Sequence, residues 1–263
     1  VLLHHMDVVP AEEKFWTHPP FSGLIESGEL HGRGAVDIKG KGILDLMAMV
    51  WLKRNRVELS RDLILLAVAD EEVGSIGAKW MVQHKSELLK GVSVLIDEGK
   101  TVAEEASGRE GDFYVSVGEK SPLWLTLTFT GPSGHGSVPV ANSAVNQAIL
   151  AATKILDFSK KIATQVAPAN LKALAKDKET KKLLHNTISI TGLKGSDKIN
   201  TISNEAVLQL DCRLLPGENR DGFIESLKKA VANKTMKIQI EEYYESRFSS
   251  PDSEFIQALR RVA

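Results

Sequence analysis

The sequence predicts an α/β protein with a central, mostly parallel sheet and an inserted, ferredoxin-like α+β domain. In the first hundred residues, short apolar runs alternate with helical patterns, and polar clusters follow the ends of those runs. After about residue 118 the pattern changes to strand-like alternation. Because ligand sites in open parallel sheets lie beyond the carboxyl ends of the strands, the polar clusters predict a site at one sheet edge.

The composition excludes several classes of protein. The 263 residues carry 33 Lys and Arg against 34 Asp and Glu, so no global charge directs the chain to nucleic acid or to an anionic membrane. The single cysteine, Cys212, excludes an internal disulfide framework and is predicted to be a packed thiol. No apolar run approaches the roughly 20 residues of a membrane span. The chain begins inside a strand pattern and ends inside a helix pattern, so we expect a fragment that lacks both termini of a longer protein.

The first predicted domain covers residues 1–118. Two helical patterns, KGKGILDLMAMVWLKRNRV and IGAKWMVQHKSELL, separate three candidate buried strands. The strands lie in VLLHHMD, RDLILLAVADEE and GVSVLIDEG. The resulting β–α–β–α–β order is typical of a parallel layer covered by helices.

The second predicted domain covers residues 119–246. Its strands and helices follow in the order LWLTLTFTG, NSAVNQAILAATKILDF, NTISITGLKG, AVLQLDCRLL, DGFIESLKKAVA and KIQIEEYYE. This β-α-β-β-α-β order is the split βαβ pattern of a ferredoxin-like domain. Residues 247–263 are interpreted as the start of a return to the first domain.

The first polar cluster lies in HHMD. His5 and Asp7 share one face of an extended strand, so His5 can bind a metal while Asp7 supports the site. The alternative is a polar strand end with solvated histidines. His4 is predicted to point to the other face.

The other clusters each allow two interpretations. Asp37, between glycines and before a helix, can bridge two metal ions or act as a helix N-cap. In DEEVGS, one glutamate can bind a metal while its neighbour is a general base, or the loop can simply face solvent. Asp97 and Glu98 supply further hard oxygen ligands, and this set of side chains suits Zn²⁺, Mn²⁺ or Co²⁺. His135, between glycines in GPSGHGSVP, can reach an oxyanion or can be a loop histidine without a role.

Four further histidines have no metal-like spacing partner and are interpreted as ordinary surface or packing residues. They are His18, His31, His84 and His185.

Five motifs in order, HHMDVVP, GRGAVDIKG, DEEVGS, LIDEG and GPSGHGSVP, resemble the M20 family of zinc-dependent peptidases and amidohydrolases. This family includes aminoacylases, carboxypeptidase S, acetylornithine deacetylase and succinyl-diaminopimelate desuccinylase. The resemblance implies a zinc-peptidase-like catalytic domain with an inserted lid or dimerisation domain. It also implies a metal site in which His5 and Glu98 bind one zinc ion, with Asp97 as the rival of Glu98. Asp37 bridges both ions, and Glu72 binds the other.

The resemblance also implies the catalytic roles. Glu71 is the general base, Asp7 supports the metal site, and His135 stabilises the oxyanion, typically from the partner subunit of a dimer. Asn200 and Arg213 fall where relatives bind substrate, with Arg213 facing a carboxylate.

The implied function is hydrolysis of an amide bond in a peptide or an N-acyl amino acid by a homodimer with two zinc ions, for which Co²⁺ or Mn²⁺ can substitute. A further histidine ligand of the family lies beyond residue 263, so we expect little activity from these residues alone. One alternative is a non-catalytic relative that serves binding or assembly. Another is a two-metal phosphoesterase, whose phosphate clamps would be Lys39 and Lys41.

Overall fold

The computed structural model describes residues 1–98, 115–162 and 183–262. The chain divides into two compact units, Val1–Thr101 and Val102–Ala263. The domain bounds predicted from the sequence stay predictions.

The first unit is built around a short parallel pair of strands. In chain order it contains β1 (Leu2–His5), β2 (Leu24–Glu26), β3 (Glu29–His31), α1 (Gly40–Arg54), β4 (Leu65–Val68) and α2 (Ile76–His84). β1 and β4 run parallel in a register that places His5 opposite Val68. The polar clusters that follow these two strands therefore meet at one edge, as expected for parallel strands.

The prediction of a third buried strand is confirmed only in part, because the segment runs parallel to β1 but pairs briefly and is exposed. This segment makes one isolated parallel bridge, between Leu2 and Ile96, in which the Leu3 N–H donates to the Ile96 carbonyl oxygen at 2.8 Å. Beyond this point the pairing stops, and the Leu95 and Ile96 side chains are 52% and 36% exposed because no described segment covers them. This bridge nevertheless places Glu98 close to His5, at the edge where β1 ends.

The second unit contains a four-stranded antiparallel sheet and two long helices. Its elements are β5 (Ser121–Thr130), β6 (Gly134–His135), α3 (Ala144–Ile162), β7 (Thr187–Lys194), β8 (Thr201–Ile202), β9 (Glu205–Leu214), α4 (Arg220–Val231), β10 (Lys237–Tyr243) and α5 (Glu254–Val262). The sheet order is β10-β5-β9-β7, and β6 pairs with β8. The main sheet and helices follow the β-α-β-β-α-β order that the sequence predicts.

The core of the second unit lies between this sheet and its helices. Alternate residues of β5 and β9 face inward, since successive strand side chains point to opposite faces. Leu125 of β5 and Leu210 of β9 are paired and almost fully buried. Cys212 is completely buried, as predicted, and burial raises the pKa of its thiol to about 12. Across the three described ranges, every helix is too short or too polar to cross a membrane.

Candidate metal centre and substrate-binding residues

His5 presents one ring nitrogen to a group of carboxylates. It ends β1 with only 2% of its side chain exposed. Its Nδ1 lies 3.0 Å from the backbone carbonyl oxygen of Asp7. Because a carbonyl oxygen can only accept a hydrogen bond, Nδ1 is the protonated nitrogen of the neutral ring and donates this bond. Nε2 therefore keeps a free lone pair.

Two carboxylates face this lone pair. Nε2 of His5 lies 3.0 Å from Oδ1 of Asp37 and 3.7 Å from Oε2 of Glu98. The donor atoms of all three residues lie within 4.8 Å of one another. A lone pair beside two negative charges is unfavourable unless a proton or a cation lies between them. One imidazole and two carboxylates suit a divalent ion such as Zn²⁺, so these residues fit the metal that the sequence predicts.

The electrostatics show the same excess of negative charge. Burial and the charges of Glu71 and Asp37 raise the pKa of Glu98 to about 7. Although burial acts in the opposite direction, the hydrogen bond to Asp37 and the charge of Glu98 raise the pKa of His5. Both shifts mean that the site holds protons tightly, and a bound cation would relieve the same repulsion.

A glycine-led turn carries Asp37 to this position. Gly34 has a left-handed backbone (φ +82°), and a Cβ there would come 2.5 Å from Cγ1 of Val8. The turn 35–39 leads into α1, and Asp37 itself is extended (φ −114°, ψ 96°). The N-cap alternative for Asp37 is not observed, because no side chain caps the start of α1.

Asp7 joins the ends of β1 and β4. Its Oδ1 and Oδ2 accept hydrogen bonds from the backbone N–H groups of Glu71 and Glu72, each at 3.0 Å. Although burial opposes the change, these two hydrogen bonds lower the pKa of Asp7. Asp7 therefore holds the loop after β4 against the end of β1.

The two glutamates of that loop differ in their surroundings. The Ser75 hydroxyl donates to Oε1 of Glu71 at 3.4 Å. Burial, and to a smaller degree the charge of Glu72, raise the pKa of Glu71 against the opposing effect of His5. Glu72 is half-buried but does not belong to the three-residue donor group in the described structure.

Of the two rival ligands, Glu98 is the one near His5. Asp97 is exposed, and its Oδ1 accepts a hydrogen bond from the backbone N–H of Glu98 at 2.8 Å. Asp97 thus positions the backbone of Glu98 while the Glu98 carboxylate faces His5.

In the second unit, the structure brings His135 and Asn200 together. His135 lies on β6, and the N–H of the adjacent Gly136 donates to the carbonyl oxygen of Asn200 at 2.8 Å. Nδ1 of His135 accepts from the backbone N–H of Ser137 at 3.2 Å and contacts its hydroxyl at 2.8 Å. The proton of the neutral ring therefore lies on the exposed Nε2, ready to donate. The sequence interpretation missed Ser137, although its position two residues after His135 in GHGS was the available signal.

Arg213 of β9 is paired with Asp211 and lies near Lys120. Its Nε and Nη2 donate to the two carboxylate oxygens of Asp211 at 2.8 and 3.0 Å. Burial and the charge of Arg213 lower the pKa of Lys120 to about 8. The remaining N–H groups of the guanidinium can still receive an anion.

The structure separates Arg213 from His135 and Asn200. Glu205 at the start of β9 pairs with the last residue of β5, next to the β6–β8 pair. Arg213 lies eight residues further along β9, a distance of about 27 Å in an extended strand. The predicted substrate-binding residues therefore lie near opposite ends of β9.

The two predicted phosphate clamps have other partners. Nζ of Lys39 donates to the backbone carbonyl oxygen of Met6. Nζ of Lys41 donates to the carbonyl oxygen of Leu3 at 2.8 Å and to Asp45 at 2.6 Å. Both side chains thus tie the start of α1 to β1 and its end.

Comparison with known proteins identifies similar chains. Residues 1–263 match the sequence profile of peptidase family M20/M25/M40. Aminoacylase-1 of Sus scrofa is 28% identical over 257 residues, which cover 96% of this chain and 60% of that protein. N-fatty-acyl-amino acid synthase/hydrolase PM20D1 of Mus musculus is 27% identical over 289 residues, covering 97% of this chain and 57% of that protein. The chain thus spans about 60% of the length of these relatives.

A solved structure shows the same fold. The M20 family metallo-carboxypeptidase Sso-CP2 of Sulfolobus solfataricus superposes with a TM-score of 0.70 at 22% identity. The superposition covers 98% of this chain and 67% of that one.

Proposed function

Since this chain belongs to peptidase family M20/M25/M40, we propose that the protein is a zinc-dependent hydrolase of an amide bond in a peptide or an N-acyl amino acid. One observation carries the proposal. The free Nε2 lone pair of His5 faces the carboxylates of Asp37 and Glu98, at 3.0 and 3.7 Å. This arrangement requires a proton or a cation between the groups, and one imidazole with two carboxylates suits a divalent ion.

His5, Asp37 and Glu98 would hold one ion, and Asp37 and Glu72 would contribute to a second. When bound, zinc polarises the carbonyl group of the substrate and acidifies water; Co²⁺ or Mn²⁺ can fulfil the same role. Asp7 holds two of these residues in place: its carboxylate binds the backbone of Glu72, and its carbonyl oxygen orients His5.

Glu71 is the proposed general base. Its carboxylate accepts a proton from the attacking water and returns it to the leaving amine, which balances the hydrolysis. The raised pKa of Glu71 supports this role, because a base acts best when its pKa approaches the operating pH.

His135 and Asn200 are proposed to bind the reacting end of the substrate, and Arg213 its carboxylate. Nε2–H of His135 would donate to the developing oxyanion. His135 and Asn200 lie near the first residue of β9, and Arg213 lies about 27 Å further along that strand. We therefore propose that a small substrate contacts His135 and Arg213 of different copies of the chain. The second unit is therefore proposed as the lid and dimerisation domain of a homodimer.

The two alternatives have less support. A non-catalytic relative would be expected to lack a ligand or the base, whereas His5, Asp37 and Glu71 are all present. A phosphoesterase needs cationic clamps, but Lys39 and Lys41 are bound to backbone carbonyl oxygens near β1.

Replacement of Glu71 tests the function. In the full-length protein, Glu71→Gln should retain bound zinc but lower the turnover of N-acyl amino acids or dipeptides by about 10²–10⁴-fold, because the proton acceptor is lost. Metal content is measured by elemental analysis and turnover on a panel of N-acetyl, N-fatty-acyl and dipeptide substrates. Glu225→Gln, on the exposed face of α4, is the matched control.

Two results would contradict the proposal. Unchanged turnover in Glu71→Gln would show that Glu71 is not the base. If the wild-type protein binds no divalent ion and hydrolyses no member of the panel, the proposed hydrolase function is wrong.

A further inference from the structure

We propose that His18, Glu26 and His31 form a second site for a divalent transition-metal ion, which shares no residue with the site at His5. Their donor atoms lie within 4.8 Å of one another. Spacing along the sequence does not reveal this group: the fold brings Glu26 to His18 and His31, which the sequence interpretation left without a metal-like partner.

The β2–β3 hairpin supplies two of the three donors. Its turn residues Ser27 and Gly28 both have a left-handed backbone, with φ of 54° and 86°, as a two-residue type I′ turn requires. The register pairs Glu26 with Glu29 and places His31 two residues further along β3. Because alternate strand residues share a face, Glu26, Glu29 and His31 all lie on the same side of the hairpin.

The chain before the hairpin brings His18 to that same group. The N–H of Arg33, two residues beyond His31, donates to the carbonyl oxygen of Pro20 at 2.8 Å, and Pro20 is fully buried. This bond ties the segment that contains His18 to the end of β3. The two imidazole rings lie edge to face, with centroids 4.8 Å apart and planes at 61°.

The donors already lie close to a binding geometry. Nε2 of His18 is 3.5 Å from Oε2 of Glu26. Zinc–ligand bonds of about 2.0–2.2 Å place tetrahedral ligand atoms roughly 3.3–3.5 Å apart. No separation in the group therefore needs to shorten by more than about 1.4 Å, which rotation of these partly exposed side chains can provide.

The chemistry of the group selects the kind of ion. Two imidazoles and one carboxylate are ligands for Zn²⁺ and Cu²⁺, whereas Ca²⁺ and Mg²⁺ prefer oxygen ligands alone. His18 and His31 are about one-third exposed, so an ion can enter from solvent and keep an open position for water. Oε2 of Glu29 lies 3.9 Å from Nε2 of His31 and can orient that ring. A bound ion would cross-link the hairpin to the segment before it.

The test counts metal ions in a protein whose other site is disabled. The Asp37→Asn variant of the full-length protein is stripped with chelator and titrated with Zn²⁺ alone, and then with Cu²⁺ for electron paramagnetic resonance. We expect one ion per chain, with a Cu²⁺ spectrum showing nitrogen coupling. Adding His18→Asn and His31→Asn should weaken binding at least tenfold and remove that coupling.

Controls separate this site from other histidines. His84→Asn is the matched control, because His84 is a surface histidine that stacks on Trp80 elsewhere in the same unit, and it should change neither affinity nor spectrum. If the double histidine variant fails to fold, Glu26→Gln alone should still weaken binding at least tenfold. Unchanged affinity and spectrum in the folded His18→Asn, His31→Asn protein would overturn the proposal, as would loss of the signal in His84→Asn.

Discussion

A single backbone carbonyl oxygen decides how His5 can be used. The carbonyl oxygen of Asp7 accepts a hydrogen bond from Nδ1 at 3.0 Å, so Nε2 of the neutral ring faces Asp37 and Glu98 with its lone pair. The side chain of the same residue binds the backbone of Glu71 and Glu72, 64 and 65 positions along the chain. Asp7 therefore contacts both halves of the candidate site, and we propose that it supports metal binding without being a ligand.

The rival positions Asp97 and Glu98 can be distinguished by paired amide substitutions. Glu98→Gln removes a charged donor that faces His5, so zinc affinity should fall by about 10–100-fold. Asp97→Asn retains an oxygen that can accept the Glu98 N–H, so affinity should change by less than about threefold. Competition with a chromogenic chelator measures both values in the full-length protein. The opposite ranking of the two variants would assign the ligand to Asp97.

At the level of elements, hydrophobic periodicity predicted most strands and helices because their buried faces are regular. In β5 and β9 the inward positions alternate without a break, so the pattern alone identifies them. Periodicity failed where tertiary context decides the outcome. The apolar run before Asp97 resembles a buried strand, but it makes only one bridge to β1. The β2–β3 hairpin was missed because its Ser-Gly turn lacks the Asn-Gly or Asp-Gly signature.

The candidate site was predictable to the extent that its residues follow strand ends. His5 and the loop after β4 follow parallel neighbouring strands, so topology alone places them at one edge. The hydrogen bonds of Asp7 and the orientation of Glu98 depend on contacts between distant segments, which spacing does not encode. For the same reason, the group formed by His18, Glu26 and His31 emerges only from the fold.

The packing of α1 against β1 depends on the absence of a side chain at Gly42. A Cβ at this position would lie 2.6 Å from Cδ2 of His4, on the face of β1 opposite His5. Gly42→Ala should therefore lower the free energy of unfolding by about 1–3 kcal/mol, although alanine favours helix. Urea denaturation measures the change.

A double-mutant cycle tests whether the contact with His4 causes the loss of stability in Gly42→Ala. In a His4→Ala background the contact is removed, so Gly42→Ala should cost little or should stabilise α1 by up to about 1 kcal/mol. An equal loss in both backgrounds would show that His4 does not cause the destabilisation.

At the scale of the whole molecule, β9 acts as a spacer. His135 and Asn200 lie beyond its first residue, and Arg213 lies near its last. Since the strand is rigidly paired on both sides, by β5 and β7, bending cannot bring its ends together. The proposed two-fold dimer would resolve this, because each site would then take its arginine from one copy and its histidine from the other.

This arrangement predicts complementation between two inactive variants. His135→Ala and Arg213→Ala homodimers of the full-length protein should each lose most of their turnover, because every site lacks one of the two groups. In a heterodimer, the His135→Ala chain supplies Arg213 and its partner supplies the histidine, so one of the two sites is complete. Because a 1:1 mixture in which chains pair at random contains one-half heterodimers, about a quarter of wild-type turnover should return. Mixtures with Glu71→Gln test whether Glu71 and Arg213 of one chain serve the same site. If they do, turnover should return when Glu71→Gln is mixed with His135→Ala. It should not return when Glu71→Gln is mixed with Arg213→Ala. Recovery in neither mixture, with subunit exchange verified by mass spectrometry, would exclude a shared site.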